Sequence, residues 1–130
     1  MIDVFEYSGY SLSNVKINYL EHAMAFYELR QYKIRPGKMS EWLEFMETKI
    51  IPFQVGMGMV ICASFKGEED DSVYFWIRRF ESESDRERLY DDVYQSDFWK
   101  NEVAPKVGDL IDRDAIQVQR VTPTRLSIMQ

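Results

Sequence analysis

Two short stretches of this chain carry charged and aromatic side chains at every second position, the spacing that brings residues to one face of a β-strand. Glu28, Arg30 and Tyr32 form one set, and Tyr74, Trp76, Arg78 and Phe80 the other. A guanidinium group grips a carboxylate or phenolate through paired N–H donors, while indole and phenol rings hold an aromatic body. Arg30, Arg78, Tyr32, Tyr74 and Trp76 are therefore candidate binding residues for a small aromatic or acidic ligand. Glu28 is a candidate general base, with a pKa that burial would raise and the arginines would lower. The same residues also read as an internal salt-bridge network that neutralises buried charge and fixes the register between two copies of the chain. Residue type alone leaves the network, the ligand pocket and the catalytic site open.

Other chemistries find less support. The only histidine, His22, stands beside Glu21 without the partners that a metal site or a triad requires. Ser64 and Ser72 have no neighbouring histidine, which removes nucleophilic catalysis of the Ser-His type. The only cysteine, Cys62, lies in an apolar run and reads as a small buried hydrophobe, with neither a disulfide nor a CxxC pair available. Glu68-Glu69-Asp70-Asp71 lacks the alternating ligand spacing of an EF-hand and reads as a solvated loop tip. Gly56-x-Gly58 precedes a strand, the wrong side for a nucleotide fingerprint. Neither metal nor cofactor is expected.

A net charge of -6 and a pI near 4.8 argue against nucleic acid as a partner, because phosphate backbones are held by clustered Lys and Arg. The N-terminus has no cationic segment leading into an apolar one, and no apolar stretch approaches about 18 residues. A soluble, cytoplasmic protein with no membrane insertion is the expectation.

The elements that would position the candidate residues follow from periodicity. Phe26 to Ile34 alternates as a strand and ends at Pro36-Gly37. Met39, Trp42, Leu43, Met46 and Ile50 then make one apolar helical stripe, with Ser40 as its expected cap and Pro52 as its expected end. Met59 to Phe65 is apolar at nearly every position and reads as a buried strand. Lys66 to Asp71 makes a hairpin loop, and Ser72 to Phe80 is the antiparallel partner strand. Ser84-Asp85-Arg86-Glu87 has the form of a capping box, followed by Leu89, Tyr90, Val93 and Tyr94 at helical spacing. Pro105 should break that helix, with one further turn over Val107 to Ile111. Ala115 to Thr122 supplies a last strand.

Strand, helix, strand, strand, helix, strand is the α+β, ferredoxin-like βαββαβ order: a four-stranded antiparallel sheet with two helices on one face. The sheet then has one covered and one uncovered face. Val73, Phe75 and Ile77, purely apolar, are expected to meet the helices together with Tyr27 and Leu29. Glu28, Arg30, Tyr32, Tyr74, Trp76, Arg78 and Phe80 would gather on the opposite face. Aromatic surface of that kind gains about 25 cal/mol per Å² when a second copy covers it, which predicts a homodimer with sheet facing sheet.

Specific strings carry a resemblance. Tyr27-Glu28-Leu29-Arg30-Gln31-Tyr32 and Pro36-Gly37-Lys38 resemble the opening blocks of NIPSNAP-family domains. Val73 to Phe80, continuing through Glu81-Ser82 to Arg86-Glu87, is similar to a second family block: a tryptophan, an arginine and an aromatic, then a short polar linker and a further arginine. Trp99 fits a recurrent tryptophan after the second helix. The resemblance spans about residues 26–122, leaving an N-terminal extension at 1–25 and a tail at 123–130. It implies a dimeric α+β barrel, with any ligand held between the sheets, and it implies little about activity. The wider superfamily includes cofactor-free monooxygenases and haem-degrading oxygenases, and His22, the one candidate for a haem ligand, lies outside the matched region. A barrel protein binding a small aromatic or acidic ligand is the leading expectation. A scaffold with a solid barrel is the alternative, and a cofactor-free monooxygenase stands behind both.

Overall fold

A computed structural model describes residues 24–130. The N-terminal extension up to residue 23, with His22, lies outside the described residues.

Strand β1 (Phe26–Ile34) leads through a turn, where Gly37 adopts a φ of 74°, into helix α1 (Met39–Phe45). A π-helical turn over Met46–Ile50 joins α1 to α2 (Ile51–Gly56) in one continuous helical body. Strands β2 (Val60–Lys66) and β3 (Val73–Phe80) form the hairpin. Helix α3 (Glu83–Tyr94) is followed by a second π-helical turn (Trp99–Val103), helix α4 (Ala104–Leu110) and strand β4 (Ile111–Val121). The sheet is antiparallel in the order β2-β3-β1-β4. The ferredoxin-like topology thus holds, with three helical bodies in place of the expected two.

Both prolines expected to end helices are absorbed instead. Pro52 and Pro105 each stand in the first turn of a helix that directly follows a π-helical turn. Proline lacks an N–H and crowds the carbonyl four residues back; a wider π turn ahead of it eases that crowding and lets the helix continue. The expected caps also shift. Lys38, not Ser40, is the N-cap of α1, and it makes no side-chain capping bond. At α3 the cap is Ser82, whose Oγ accepts from the Asp85 N–H at 3.1 Å, while Asp85 Oδ2 accepts from the Glu81 N–H at 3.0 Å. Ser82 and Asp85 thus do the work expected of Ser84 and Glu87, and acidic residues in that first turn suit the helix dipole.

Strand β2 is an edge strand, and it is not buried: Val60 and Phe65 are 50% and 56% exposed, and Cys62 is exposed at a register shift between Ile61 and Ala63. Its apolar run reflects an uncovered sheet face rather than a core strand.

The larger correction concerns the two faces of the sheet. Along β3, Tyr74, Trp76, Arg78 and Phe80 are buried, whereas Val73, Phe75 and Ile77 are only partly so. The first set, with Glu28, Arg30 and Tyr32 of β1, faces the helices, not an intersubunit lumen. Trp76 and Tyr32 pack with Trp42, Met46 and Ile50, and Phe80 packs with Leu89 and Val93. The second set lies on the outer face, and so does Leu29. Tyr27 also lies there and is buried because the tail folds over it: its OH donates to the Gln130 carbonyl at 3.1 Å, and Arg79 Nε donates to the same oxygen at 2.8 Å.

Candidate functional site

The pairing register of β1 with β3 sets Glu28 opposite Arg78, Arg30 opposite Trp76 and Tyr32 opposite Tyr74. Alternation turns all six toward the helices, where α3 brings Arg86, Tyr90 and Tyr94 down one stripe at intervals of four residues. The result is a layer of charge inside an aromatic core.

Glu28 is the hub, with 1% of its surface exposed. Its Oε1 accepts from Arg78 Nη2 at 2.9 Å and its Oε2 from Arg86 Nε at 2.9 Å, and the Tyr90 OH reaches both oxygens at 2.8 Å. Arg30 Nη1 stands further off, at 3.5 Å. Arg78, fully buried, also donates through Nη1 to Gln54 Oε1 at 2.9 Å and to the Tyr94 OH at 2.7 Å. The rings of Trp76 and Tyr90 stack around its guanidinium at 4.9 and 5.2 Å. Both oxygens of Glu28 are therefore engaged by strong donors.

The electrostatics agree with a structural role for this pair. Burial by itself raises the Glu28 pKa, but the charge of Arg78 and the hydrogen bonds from Arg86, Tyr90 and Arg78 more than offset it, and the carboxyl titrates below its ordinary 4.5. Burial likewise opposes the charge of Arg78, yet Tyr94, Tyr90 and Glu28 around it keep the guanidinium protonated. A carboxylate so held is a poor general base at neutral pH. Tyr90 and Tyr74 are both pushed up to about 12, chiefly by burial, so each remains a neutral phenol.

A pH dependence follows from Glu28. Because its folded pKa lies below the unfolded value near 4.5, its contribution to stability is complete above that pH and fades as the pH drops through the folded pKa. The urea midpoint is expected to hold steady from pH 7 to 5 and to fall below about 4.5, and Glu28→Gln should show a flatter acid limb.

Beside this network lies a cavity of about 220 Å³ between the sheet and the helices. All three tryptophans of the chain, Trp42, Trp76 and Trp99, line it, with Tyr32, Tyr90 and Tyr94. Among the described residues its charged lining groups are Arg30 and Arg113, and none of the described lining residues is a carboxylate, histidine or cysteine. Arg30 Nε donates to the Tyr32 OH at 3.0 Å. The indole N–H groups of Trp42 and Trp76 are buried without a partner among the described residues, a costly state for a donor.

Of the six candidate residues, Arg30, Tyr32 and Trp76 line the cavity. Glu28 and Arg78 form the ion pair beside it, and Tyr74 shares a 2.6 Å hydrogen bond with Ser64 Oγ. Sequence reasoning gave Gln54, Arg86, Tyr90, Tyr94 and Arg113 no site role. The 86, 90, 94 spacing on one helix stripe was the readable signal for three of them. Among the described residues no group of three His, Cys, Asp or Glu side chains is placed to hold a metal ion, and no helix is long and apolar enough to cross a membrane.

Comparison with known proteins places the fold. A NIPSNAP-family protein of unknown function from Agrobacterium tumefaciens superimposes with a TM-score of 0.73 at 25% identity, over 84% of this chain and 96% of that one. A second NIPSNAP-family protein from the same organism gives 0.71 at 23% identity, covering 82% and 91% of the two chains. An uncharacterised NIPSNAP-like domain protein from Burkholderia xenovorans gives 0.72 at 20%, covering 82% and 90%. No curated protein matches the chain. The NIPSNAP family profile matches residues 27–127, from the Tyr27-Glu28-Leu29-Arg30 block through β4 and into the tail. The chain belongs to the NIPSNAP family.

Proposed function

We propose that each copy of this chain binds one small, anionic, aromatic molecule in the cavity between sheet and helices, and that two copies pair through their outer sheet faces as a homodimer. The observation that carries the binding reading is the lining itself: six aromatic rings and two arginines around about 220 Å³. That volume exceeds the roughly 150 Å³ that admits benzene and falls short of the roughly 300 Å³ at which drug-sized sites begin, so it suits a single substituted ring. Two guanidinium groups on a wall whose described lining has no carboxylate favour a carboxylate or phenolate on that ring. The absence of a carboxylate, histidine or thiol from that wall favours binding over general-base chemistry. A solid scaffold would need this space filled.

The pairing reading rests on the outer face. Val60, Phe65, Phe75 and Ile77 lie there uncovered by helix or tail, on two adjacent strands. A cytoplasmic setting goes with both readings, since Cys62 is exposed and the chain has no second cysteine to pair with it. A monodisperse monomer at micromolar concentration in analytical ultracentrifugation would overturn the pairing.

The binding reading is tested by titrating the protein with benzoate and 4-hydroxybenzoate while following tryptophan fluorescence, which arises entirely from the cavity wall. Saturable quenching is expected. Arg30→Met should weaken it by about 10- to 100-fold, the range for losing a charge-assisted hydrogen bond, in a variant that still unfolds in one cooperative transition. Non-saturating behaviour with both probes, or full affinity in Arg30→Met, would remove the proposed site.

A further inference from the structure

Among the described residues the cavity wall carries two positive charges and no negative one. The chain as a whole has a net charge of -6, yet the charged side chains on this wall are Arg30 and Arg113. Other arginines near the site are compensated: Arg78 and Arg86 each lie 2.9 Å from a Glu28 oxygen, and Arg120 lies 2.7 Å from Glu83. Arg30 meets Glu28 only at 3.5 Å, behind those two stronger partners. Arg113 has no carboxylate within 4.0 Å among the described residues, and its guanidinium instead donates to the Ala104 carbonyl.

The fold places Arg113 deliberately. In the pairing of β1 with β4, Gln31 faces Gln117 and Lys33 faces Asp112, so residues 113–116 bulge out opposite the single residue Tyr32. The bulge carries Arg113 and Ile116 onto the cavity wall. From there the Arg113 side chain lies across α4 at Gly108, where a Cβ would come within 3.2 Å of its Nε. Arg113 is exposed and Arg30 is 15% exposed, which puts one charge at the mouth and the other inside.

Two like charges lining so small a space repel each other, and Arg30 inside it has little water to screen the repulsion. A ligand with one acidic group would neutralise one of them. We propose that the cavity selects a dianionic aromatic molecule, with one acidic group on Arg30 and a second on Arg113, and that Arg113 is the residue that sets this preference. The proposal rests on the binding reading above, refining its ligand from one negative charge to two.

The test compares benzoate with phthalate, isophthalate and terephthalate by tryptophan fluorescence on the full chain at low ionic strength. At least one dicarboxylate is expected to bind about tenfold tighter than benzoate, with that advantage shrinking as salt is added. In Arg113→Met the advantage should vanish, so that the best dicarboxylate and benzoate bind with equal affinity. Gly108→Ala, which displaces the guanidinium without removing it, should reduce the advantage in part. Equal affinity for benzoate and all three dicarboxylates would overturn the dianion preference and leave the binding reading standing. A preference that survives in Arg113→Met would overturn the assignment to Arg113, and silence from all four probes would overturn the binding reading itself.

Discussion

Glu28→Ala is expected to lower the unfolding free energy by about 3–5 kcal/mol, more than any other single change in the charged layer. The cost arises from what the substitution leaves behind. Arg78 is fully buried and its only carboxylate partner among the described residues is Glu28. Arg86 would keep Glu83 at 3.3 Å, and Tyr90 would lose the acceptor for its hydroxyl proton. A buried guanidinium without a counter-charge and an unpaired phenol both fall in the class of change that unfolds marginal domains. Arg78→Met should cost less, because Glu28 keeps Arg86 and Tyr90 while the methionine fills an aromatic surround. The pair Glu28→Ala with Arg78→Met should then fall short of the sum of the singles by about 0.5–3 kcal/mol, the coupling expected of residues in one network. Urea denaturation monitored by circular dichroism measures all three. A Glu28→Ala variant within about 0.5 kcal/mol of the parent, the range of ordinary surface changes, would show that water or side-chain rearrangement solvates this layer.

The same residues explain why the sequence was legible in outline and misleading about direction. Alternation along Phe26–Ile34 and Val73–Phe80 identifies both strands and correctly groups Glu28, Arg30, Tyr32, Tyr74, Trp76 and Arg78 on one face. Polarity then suggests that the purely apolar Val73, Phe75 and Ile77 go inward. Side-chain polarity is a weak guide here because Tyr, Trp and Arg have large apolar bodies, and their polar tips need only a partner to be buried. Those partners sit on elements distant in sequence: Gln54 at the end of the first helical body, and Arg86, Tyr90 and Tyr94 on α3. An inward-facing arginine and a helix stripe of Arg, Tyr and Tyr satisfy each other, but neither reveals the match alone. The bulge that delivers Arg113 is still less visible. It depends on a mismatch between two strands, β1 and β4, that pair in the sheet but lie at opposite ends of the described sequence.

Reversing the faces changes what the uncovered one is for. With the charged and aromatic set packed under helices, the surface left bare is apolar: Phe75 stands on β3 between Phe65 of β2 and Gln31 of β1, with Ile77 and Val73 along the same line. The tail covers only the end near Tyr27 and Arg79, and itself presents Leu126 and Ile128 at 82% and 99% exposure. A sheet with this much bare hydrocarbon is the surface that self-association hides best. Across the two-fold axis of the proposed dimer every substitution enters twice, so Phe75→Asp would set two carboxylates into one apolar interface. Desolvating unpaired charge there costs several kcal/mol, and the dimer dissociation constant is expected to rise by at least about 100-fold. Sedimentation velocity should then show a monomer at concentrations where the parent is dimeric. Phe65→Asp tests the same face from an edge strand, where the monomer's own packing depends little on the side chain, since Phe65 is 56% exposed. Both variants should keep benzoate binding, because the cavity opens on the helix side of the sheet. A parent that dimerises while both variants remain dimeric would move the interface to another surface. Loss of ligand binding together with the dimer would instead mean that the second copy shapes the cavity.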